Sequence, residues 1–558
     1  MNMTPLECLR RYWGYDSFRP LQQDIVDHII SGQNAIALLP TGGGKSVCFQ
    51  VPGLLLPGLT VVISPLVALM KDQAARLSSL KIPAAAIYSG MPENEIIETF
   101  DLARARELKF LYVSPERIQS RLFLERMSEI QVGLVAIDEA HCISQWGYDF
   151  RPEYLLISAW TSGLSGVPVI ALTATAKPPV IQDMALHLGL PSYKLFQSSF
   201  KRDNLFYHVL HENNKTGRIL RICRKLEGSG IIYVRNRKRT MEMAGWLSKQ
   251  GISAEPYHAG LPLQLRDETQ QRWMEGTTRV IVSTNAFGMG IDKPDCRFVL
   301  HMDVPDAIEA YFQEAGRAGR DGKTAHAVFL YDQTDIHEAT GFLQERFPSV
   351  EEIKKTYSAL CNYLQIPLGA GADRPFAFAL DEFCSHFSLK PAPAFQALQI
   401  LDRQGLLRFN PEAFHPSKVQ IRVAPERLYD FELKNKKYEP FIKTLLRNHP
   451  GIFTEPKAIR EFDLARMLNL PKTEVIQMLH MLKKWQLLEY VPSGGASTVV
   501  LLEPRMDRAV GSFSVKAYEQ RKARATEKLQ AMIDFLQQDE ICRSEWLLSY
   551  FGEKKSGA

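Results

Sequence analysis

Six residues, Thr41-Gly42-Gly43-Gly44-Lys45-Ser46, carry the first chemistry legible in this chain. Consecutive glycines let backbone N–H groups close around an anion. A lysine beside them can reach the β- and γ-phosphates of a nucleotide, and a serine hydroxyl can hold Mg²⁺. The common spacing of such loops, GxxxxGK[ST], would put another glycine at position 39, where leucine stands. With Thr41 beginning the tight turn, that glycine is dispensable. The acidic half of such a site should end a second buried strand, and "LVAIDEAH" (134–141) supplies it. Asp138 is expected in the Mg²⁺ shell, and Glu139 is expected to orient and deprotonate an attacking water. Phosphoryl transfer also needs positive charge where the transition state develops negative charge. "YFQEAGRAGRDG" (311–322) offers Arg317 and Arg320, three apart and expected on one helical face.

These groups need rigid elements to hold them. Up to about residue 340, short β-branched runs alternate with helical stretches: "AIALL" (35–39), "TVVIS" (60–64), "LVAID" (134–138) and "VPVIALT" (167–173). After "SFKRDNL" (199–205) they resume with "GIIYV" (230–234), "RVIVST" (279–284), "RFVLH" (297–301) and "AHAVFLY" (325–331). Apolar runs separated by helices indicate parallel sheets buried on both faces. The chain therefore reads as α/β, with two parallel-sheet lobes in tandem and "SFKRDNL" as their joint.

Beyond residue 345 the texture becomes mostly helical, and an internal repeat appears at an offset of 81 residues. "HFSLKPAPAFQALQILDRQGLLRF" (386–409) matches "MLNLPKTEVIQMLHMLKKWQLLEY" (467–490), pairing Leu398 with Leu479, Leu401 with Leu482 and Phe409 with Tyr490. Each copy reads as a short helix, a turn, a longer amphipathic helix and an extended segment, the pattern of a winged helix. The expected division is 1–203 and 204–345 for the lobes, 346–435 and 436–510 for the winged-helix-like domains, and 511–558 for a last helical segment.

The chain has 558 residues, too many for one core, and its 45% hydrophobic and 23% charged residues are those of an ordinary globular protein. The net charge of +5 is a mild bias compatible with a polyanionic partner. No stretch is long and apolar enough to cross a membrane, and "MNMTPLECLRRYWGYDSF" lacks the apolar core of a signal peptide. The eight cysteines are scattered without a CxxC, so neither a disulfide framework nor a complete zinc site is visible. A reducing, intracellular location is expected.

Together, "TGGGKS", "DEAH", "LTATA" (172–176) and "QEAGRAGRDG" resemble a superfamily 2 helicase, and more narrowly the RecQ DNA helicases. "VISPLVALMKDQ" (62–73), "YVSPERI" (112–118) and "STNAFGMGIDKPD" (283–295) fit as well. The resemblance is dense over about residues 8–335. It implies two RecA-like lobes that bind ATP and Mg²⁺ between them, an ATPase driving 3′-to-5′ movement on single-stranded DNA, and duplex or forked DNA as substrate. "GYDSFRPLQ" (14–22) resembles the adenine-recognition motif of the family, in which Tyr15 would stack on adenine, Arg19 would support it and Gln22 would read its edge. "HCISQWGYDFRPEY" (141–154) resembles the aromatic-rich loop that couples DNA to ATP hydrolysis. Its Trp146 and Phe150 offer faces for bases, each worth about 1–3 kcal/mol, and Arg151 can stack or take phosphate. The resemblance further implies Arg320 as the transition-state finger, and His258 and Thr284 as contacts to phosphate or to the lobe interface. A monomer in the bacterial cytoplasm, associated with the nucleoid, is expected.

In RecQ relatives a zinc-binding hairpin follows the lobes and a winged helix comes after it. Here the winged-helix-like pair comes first, and "ICRSEWLLSYFGE" (541–553) resembles the start of the zinc segment. That region offers Cys542 alone, so no structural Zn²⁺ is expected, and "EKKSGA" reads as a cut end.

Overall fold

The computed structural model of the chain describes residues 3–40, 42–88, 90–144, 151–288, 293–411, 417–459, 461–492, 497–506 and 513–553. The chain divides into two units, residues 1–340 with 524–558, and residues 341–523.

In the first unit, seven strands form one lobe: β1 (Ala35–Leu38), β2 (Leu59–Ile63), β3 (Ala84–Ile87), β4 (Phe110–Val113), β5 (Val132–Ile137), β6 (Val169–Thr173) and β7 (Lys194–Gln197). All pairings are parallel, in the order β3-β4-β2-β5-β6-β1-β7. Alternate residues serve two cores. Ile36 and Leu38 of β1 and Val135 and Ile137 of β5 pack on one face. Ala35, Ala37, Leu134 and Ala136 pack on the other. Both faces are thus removed from water, which is why these strands read as unbroken apolar runs rather than as alternations. Each fully buried valine or isoleucine contributes about 1.5–3 kcal/mol.

The second lobe repeats the architecture with β8 (Leu205–His211), β9 (Ser229–Tyr233), β10 (Ala254–Tyr257), β11 (Val280–Ser283), β12 (Cys296–His301) and β13 (Ala325–Tyr331). Its parallel order is β10-β11-β9-β12-β13-β8. The joint falls between β7 and β8, within "SFKRDNL". Strands β3, β4, β7, β8 and β10 are additional to the runs singled out in the sequence. Of these, β3, β7, β8 and β10 are more exposed, β7 burying only Phe196, whereas β4 is as short and as buried as β1.

The terminal segment returns to this unit. Met532, Phe535 and Leu536 are buried, Phe535 lies 5.2 Å from the Tyr311 ring, and Phe551 packs 5.0 Å from both Phe200 and Phe312. The helix Val515–Gln537 therefore begins in one unit and ends in the other.

In the second unit the internal repeat holds element for element. The helices Leu380–His386 and Pro391–Arg403 lead into β15 (Leu407–Asn410), and Glu461–Leu468 and Lys472–Lys484 lead into β18 (Leu488–Val491). Leu398, Leu401, Leu479 and Leu482 are all fully buried. The remaining strands are β14 (Pro375–Phe378), β16 (Ser417–Ile421), β17 (Lys457–Ile459) and β19 (Ser497–Leu501), and the antiparallel sheets are β14-β19-β15 and β17-β16-β18. One copy is nested in the other. β16 leaves the first copy to pair with β17 and β18 of the second, and β19 returns from the second to pair with β14 and β15. A sequential cut at 435/436 divides β16 from its partners.

Candidate active site

The site is built at the C-terminal ends of three adjacent strands, β5, β6 and β1, where open parallel sheets bind ligands. After β1 the chain turns through Leu39 and Pro40 into the glycines; Thr41 lies outside the described residues. Gly42 and Gly44 have φ of 81° and 75°, left-handed values that only glycine adopts without strain. Gly43 donates its N–H to Pro40 O at 2.8 Å, and a Cβ on Gly43 would sit 2.9 Å from that oxygen. Lys45 and Ser46 follow, and the helix Val47–Leu55 starts there, its dipole favouring an anion.

Arg19 and Gln22 clasp this loop. The buried Gln22 donates Nε2 to Gly43 O at 3.2 Å and to Gly44 O at 3.1 Å, while its Oε1 accepts the Arg19 N–H at 2.9 Å. The Arg19 guanidinium donates to Gly42 O. Tyr15 is 49% exposed.

Asp138 extends β5 by donating its N–H to Ile63 O at 2.8 Å, and Tyr154 Oη donates to Asp138 O at 3.1 Å. Glu139 then takes a left-handed φ of 48° and donates its N–H to Asp138 Oδ1 at 3.0 Å. A non-glycine residue in that region is strained. Both carboxyls are buried. Burial pushes Asp138 up, and the neighbouring Glu139 charge pushes it further. Burial acts the same way on Glu139, but Lys45, His141 and Arg317 outweigh it and hold this carboxyl below the usual range. Glu139 Oε2 has no hydrogen-bond donor aligned on it. His141 Nδ1 lies 3.3 Å from it and 2.8 Å from Thr173 Oγ1, the first threonine of "LTATA". His141 thus links "LTATA" to the acidic pair, a role legible only as the last letter of "DEAH".

Arg317 and Arg320 come from the second lobe, and here the sequence expectation needs correction. The helix Ile308–Ala315 ends before them, and residues 316–321 form turns, so the two arginines share no helical face. The glycines explain this: Gly316 caps the helix and Gly319 adopts φ of 64°. Arg317 is buried, with its charge acting on Glu139. Arg320 lays its aliphatic stem on the phosphate loop, where a Cβ on Gly42 would meet Arg320 Cγ at 3.1 Å. The loop glycine is therefore needed for close approach as well as for conformation.

His258 and Thr284 follow the paired strand ends Tyr257 and Ser283, and both are buried. Burial and Arg237 hold the His258 imidazole below its usual value, and its Nδ1 has no hydrogen-bond partner. Trp146 and Phe150 lie outside the described residues. Arg151, which closes that loop, donates its N–H to Cys142 O at 2.8 Å and Nη1 to Pro65 O at 2.9 Å. It ties the loop to the "VISPLVAL" segment.

The glycine cradle fits the phosphates of a nucleotide, which Lys45 and Ser46, with Asp138 for Mg²⁺, would hold. Zinc is different. Cys542 is exposed at the start of the helix Arg543–Tyr550, and among the described residues no three of His, Cys, Asp and Glu gather as metal ligands. A structural zinc site takes about four such ligands. No helix among the described residues is long and apolar enough to cross a membrane.

Comparison with known proteins gives a consistent picture. Residues 19–184 match the model of the DEAD/DEAH box helicases, and residues 214–322 match that of the helicase conserved C-terminal domain. Residues 419–492 match the RecQ helicase winged-helix domain of Bacteroidota, and residues 502–558 match the RecQ zinc-binding model. The winged-helix match spans β16 to β18, the nested copy. The chain is 41% identical over 336 residues to the ATP-dependent DNA helicase RecQ of Pasteurella multocida, covering 60% of this chain and 53% of that protein. It is 41% identical over 356 residues to the probable ATP-dependent DNA helicase RecS of Bacillus subtilis, covering 63% and 72%. The match thus spans just over half of the Pasteurella protein and nearly three quarters of the Bacillus one. Among solved structures, the Mycobacterium smegmatis helicase Lhr bound to ssDNA and AMP-PNP aligns with a TM-score of 0.50 at 19% identity. That alignment covers 72% of this chain and 58% of Lhr, and the likeness is one of fold.

Proposed function

This chain belongs to the RecQ family of superfamily 2 helicases, and from that premise we propose that it couples ATP hydrolysis to translocation on single-stranded DNA and to duplex separation. The observation that carries the proposal is the convergence of Lys45, Asp138 and Glu139 at the ends of β1 and β5, with the Arg317 charge acting on Glu139 and the Arg320 stem lying on Gly42. In this reading Lys45 and the loop N–H groups bind the β- and γ-phosphates. Ser46 and Asp138 hold Mg²⁺, which when bound neutralises phosphate charge. Glu139, kept ionised by its cationic neighbours, orients the attacking water and accepts its proton. Arg317 and Arg320 stabilise the charge that develops on the transferred phosphoryl. Tyr15, Arg19 and Gln22 recognise adenine. Since Gln22 and Arg19 already hold loop carbonyls, base recognition and phosphate-loop shape are joined in one cluster.

Trp146 and Phe150 serve as base platforms, and His141 with "LTATA" relays between them and the acidic pair. His258 and Thr284 contact phosphate or the lobe interface. Movement is 3′ to 5′, the substrates are single-stranded and duplex or forked DNA, and the setting is repair or recombination inside the cell, by a monomer. We further propose that residues 1–203 and 204–345 act as the two motor lobes, that the nested winged-helix pair contacts DNA, and that Cys542 binds no structural zinc; zinc content after dialysis tests the last point. ATP hydrolysis with no nucleic acid, single-stranded DNA or RNA tests the whole reading. Stimulation by DNA supports it, stimulation by RNA alone indicates an RNA helicase, and no turnover at all indicates a DNA-binding regulator with a vestigial site.

A further inference from the structure

The turn that carries Arg317 and Arg320 is held largely from outside: Gly319 donates its N–H to Cys296 O at 2.8 Å, Asp321 donates its own to Pro294 O at 3.1 Å, and the Asp321 carboxylate accepts from Arg297 at 2.6 Å. Beyond Ala315 the helical hydrogen bonds give way to single-turn contacts, Arg317 N to Glu314 O and Ala318 N to Ala315 O, both at 3.2 Å. Past the helix end, the carbonyls of Gly316, Gly319 and Lys323 are taken by two side chains from the joint between the lobes. Arg202 donates Nη1 to Gly316 O at 3.0 Å and Nη2 to Gly319 O. Asn204 donates Nδ2 to Gly319 O at 2.7 Å and to Lys323 O at 2.9 Å. The two carbonyls gripped by Arg202 belong to the residues immediately before Arg317 and Arg320. The fit is close, since a Cβ on Gly319 would lie 2.7 Å from Asn204 Nδ2. A planar guanidinium suits the task, because its rigid fork can hold two carbonyls at once, whereas an ammonium is a single point.

The same joint is anchored at its other end. The Glu553 carboxylate accepts from Ser199 Oγ at 2.8 Å and from the Phe200 N–H, and the Phe200 ring packs against Phe551 and Phe312. Residues 199 and 200 are thus fixed to the terminal segment, and residues 202 and 204 to the arginine turn, with one residue between.

We propose that Arg202 is a positioning residue for phosphoryl transfer. It never meets the nucleotide; it sets the turn from which Arg317 and Arg320 act, using a joint whose backbone Glu553 holds in place. This inference rests on the ATPase reading above. The test compares wild type, Arg202→Lys, Asn204→Ala and an Arg317→Ala/Arg320→Ala double variant, alone and combined with Arg202→Lys. In DNA-stimulated hydrolysis, Arg202→Lys should lower kcat by about tenfold or more with KM for ATP within about threefold, the signature of a lost transition-state contact. Binding of ADP with aluminium fluoride, which mimics the transferring phosphoryl, should weaken by about tenfold while ADP alone binds as in wild type. In the arginine-free background, Arg202→Lys should cause no further weakening. Wild-type kcat in Arg202→Lys overturns the proposal, as does a defect in KM alone or an equal loss with and without the arginines. If Arg202→Lys does not fold, Asn204→Ala decides by the same criteria. Wild-type hydrolysis by the arginine-free variant would instead remove the ATPase reading of the turn, whatever Arg202 does.

Discussion

Gly44→Ala gives a direct measure of how far the glycine loop and the Arg19–Gln22 segment are one device. Gly44 has φ of 75°, and a Cβ there would sit 2.3 Å from Gln22 Nε2. Alanine in the left-handed region costs about 1–2 kcal/mol. Gln22 must also move, which breaks its bonds to the carbonyls of Gly43 and Gly44, each worth about 0.5–1.5 kcal/mol. Together these amount to about 2–5 kcal/mol. An empty loop can relax away from much of this, whereas a loop wrapped around phosphates cannot. The cost therefore falls on nucleotide binding, and its lower bound of about 2 kcal/mol corresponds to roughly 30-fold weaker affinity. A titration with a fluorescent ATP analogue reads this, with circular dichroism melting as the control for fold. Because Gln22 is the group displaced, the effects of Gln22→Ala and Gly44→Ala should be less than additive. A dissociation constant within about threefold of wild type, or strict additivity of the two changes, would refute the reasoning.

Lys45→Ala should leave a folded protein without measurable ATP turnover, since it removes charge from the phosphates and from beside Glu139; near wild-type hydrolysis would exclude the loop as the site. Arg320→Ala should lower kcat far more than it changes ATP affinity, and a variant with only a raised KM would contradict a transition-state role. Trp146→Ala should keep basal hydrolysis while DNA stimulation and unwinding fall together; normal stimulation would mean that Trp146 is no base platform. His208 Nε2 and His326 Nδ1 meet at 3.2 Å across β8 and β13, and burial, joined at His208 by the charge on His326, holds both below the ordinary 6.5. Their contribution to stability is present above that value and is lost as pH falls towards the depressed folded values. Asparagine at both positions should flatten the decline in melting temperature over that window, and an unchanged slope would assign the acid sensitivity to other groups.

What the sequence could determine was local. A phosphate loop is six adjacent residues, so "TGGGKS" declared itself without a fold. "DEAH" did so too, because Asp138 and Glu139 need only the end of one strand. The lobes were legible because strands buried on both faces carry few polar residues, and the repeat because Leu398, Leu401, Leu479 and Leu482 recur at helical spacing in both copies. What only the tertiary structure decided was pairing between distant residues. The nested winged-helix topology depends on β16 and β19 exchanging partners across about 80 residues, and an antiparallel edge bonds backbone to backbone with little trace in side-chain identity. The segment holding Arg317 and Arg320 has the propensity of a helix, and propensity cannot tell a helix from a run of turns stopped by Gly319. The hold of Arg202 and Asn204 on that turn spans more than a hundred residues, and so does the return of Glu553 to Ser199. Hydrogen bonds to main-chain carbonyls place no demand on the residue type that supplies the carbonyl, so no spacing in the sequence could announce them.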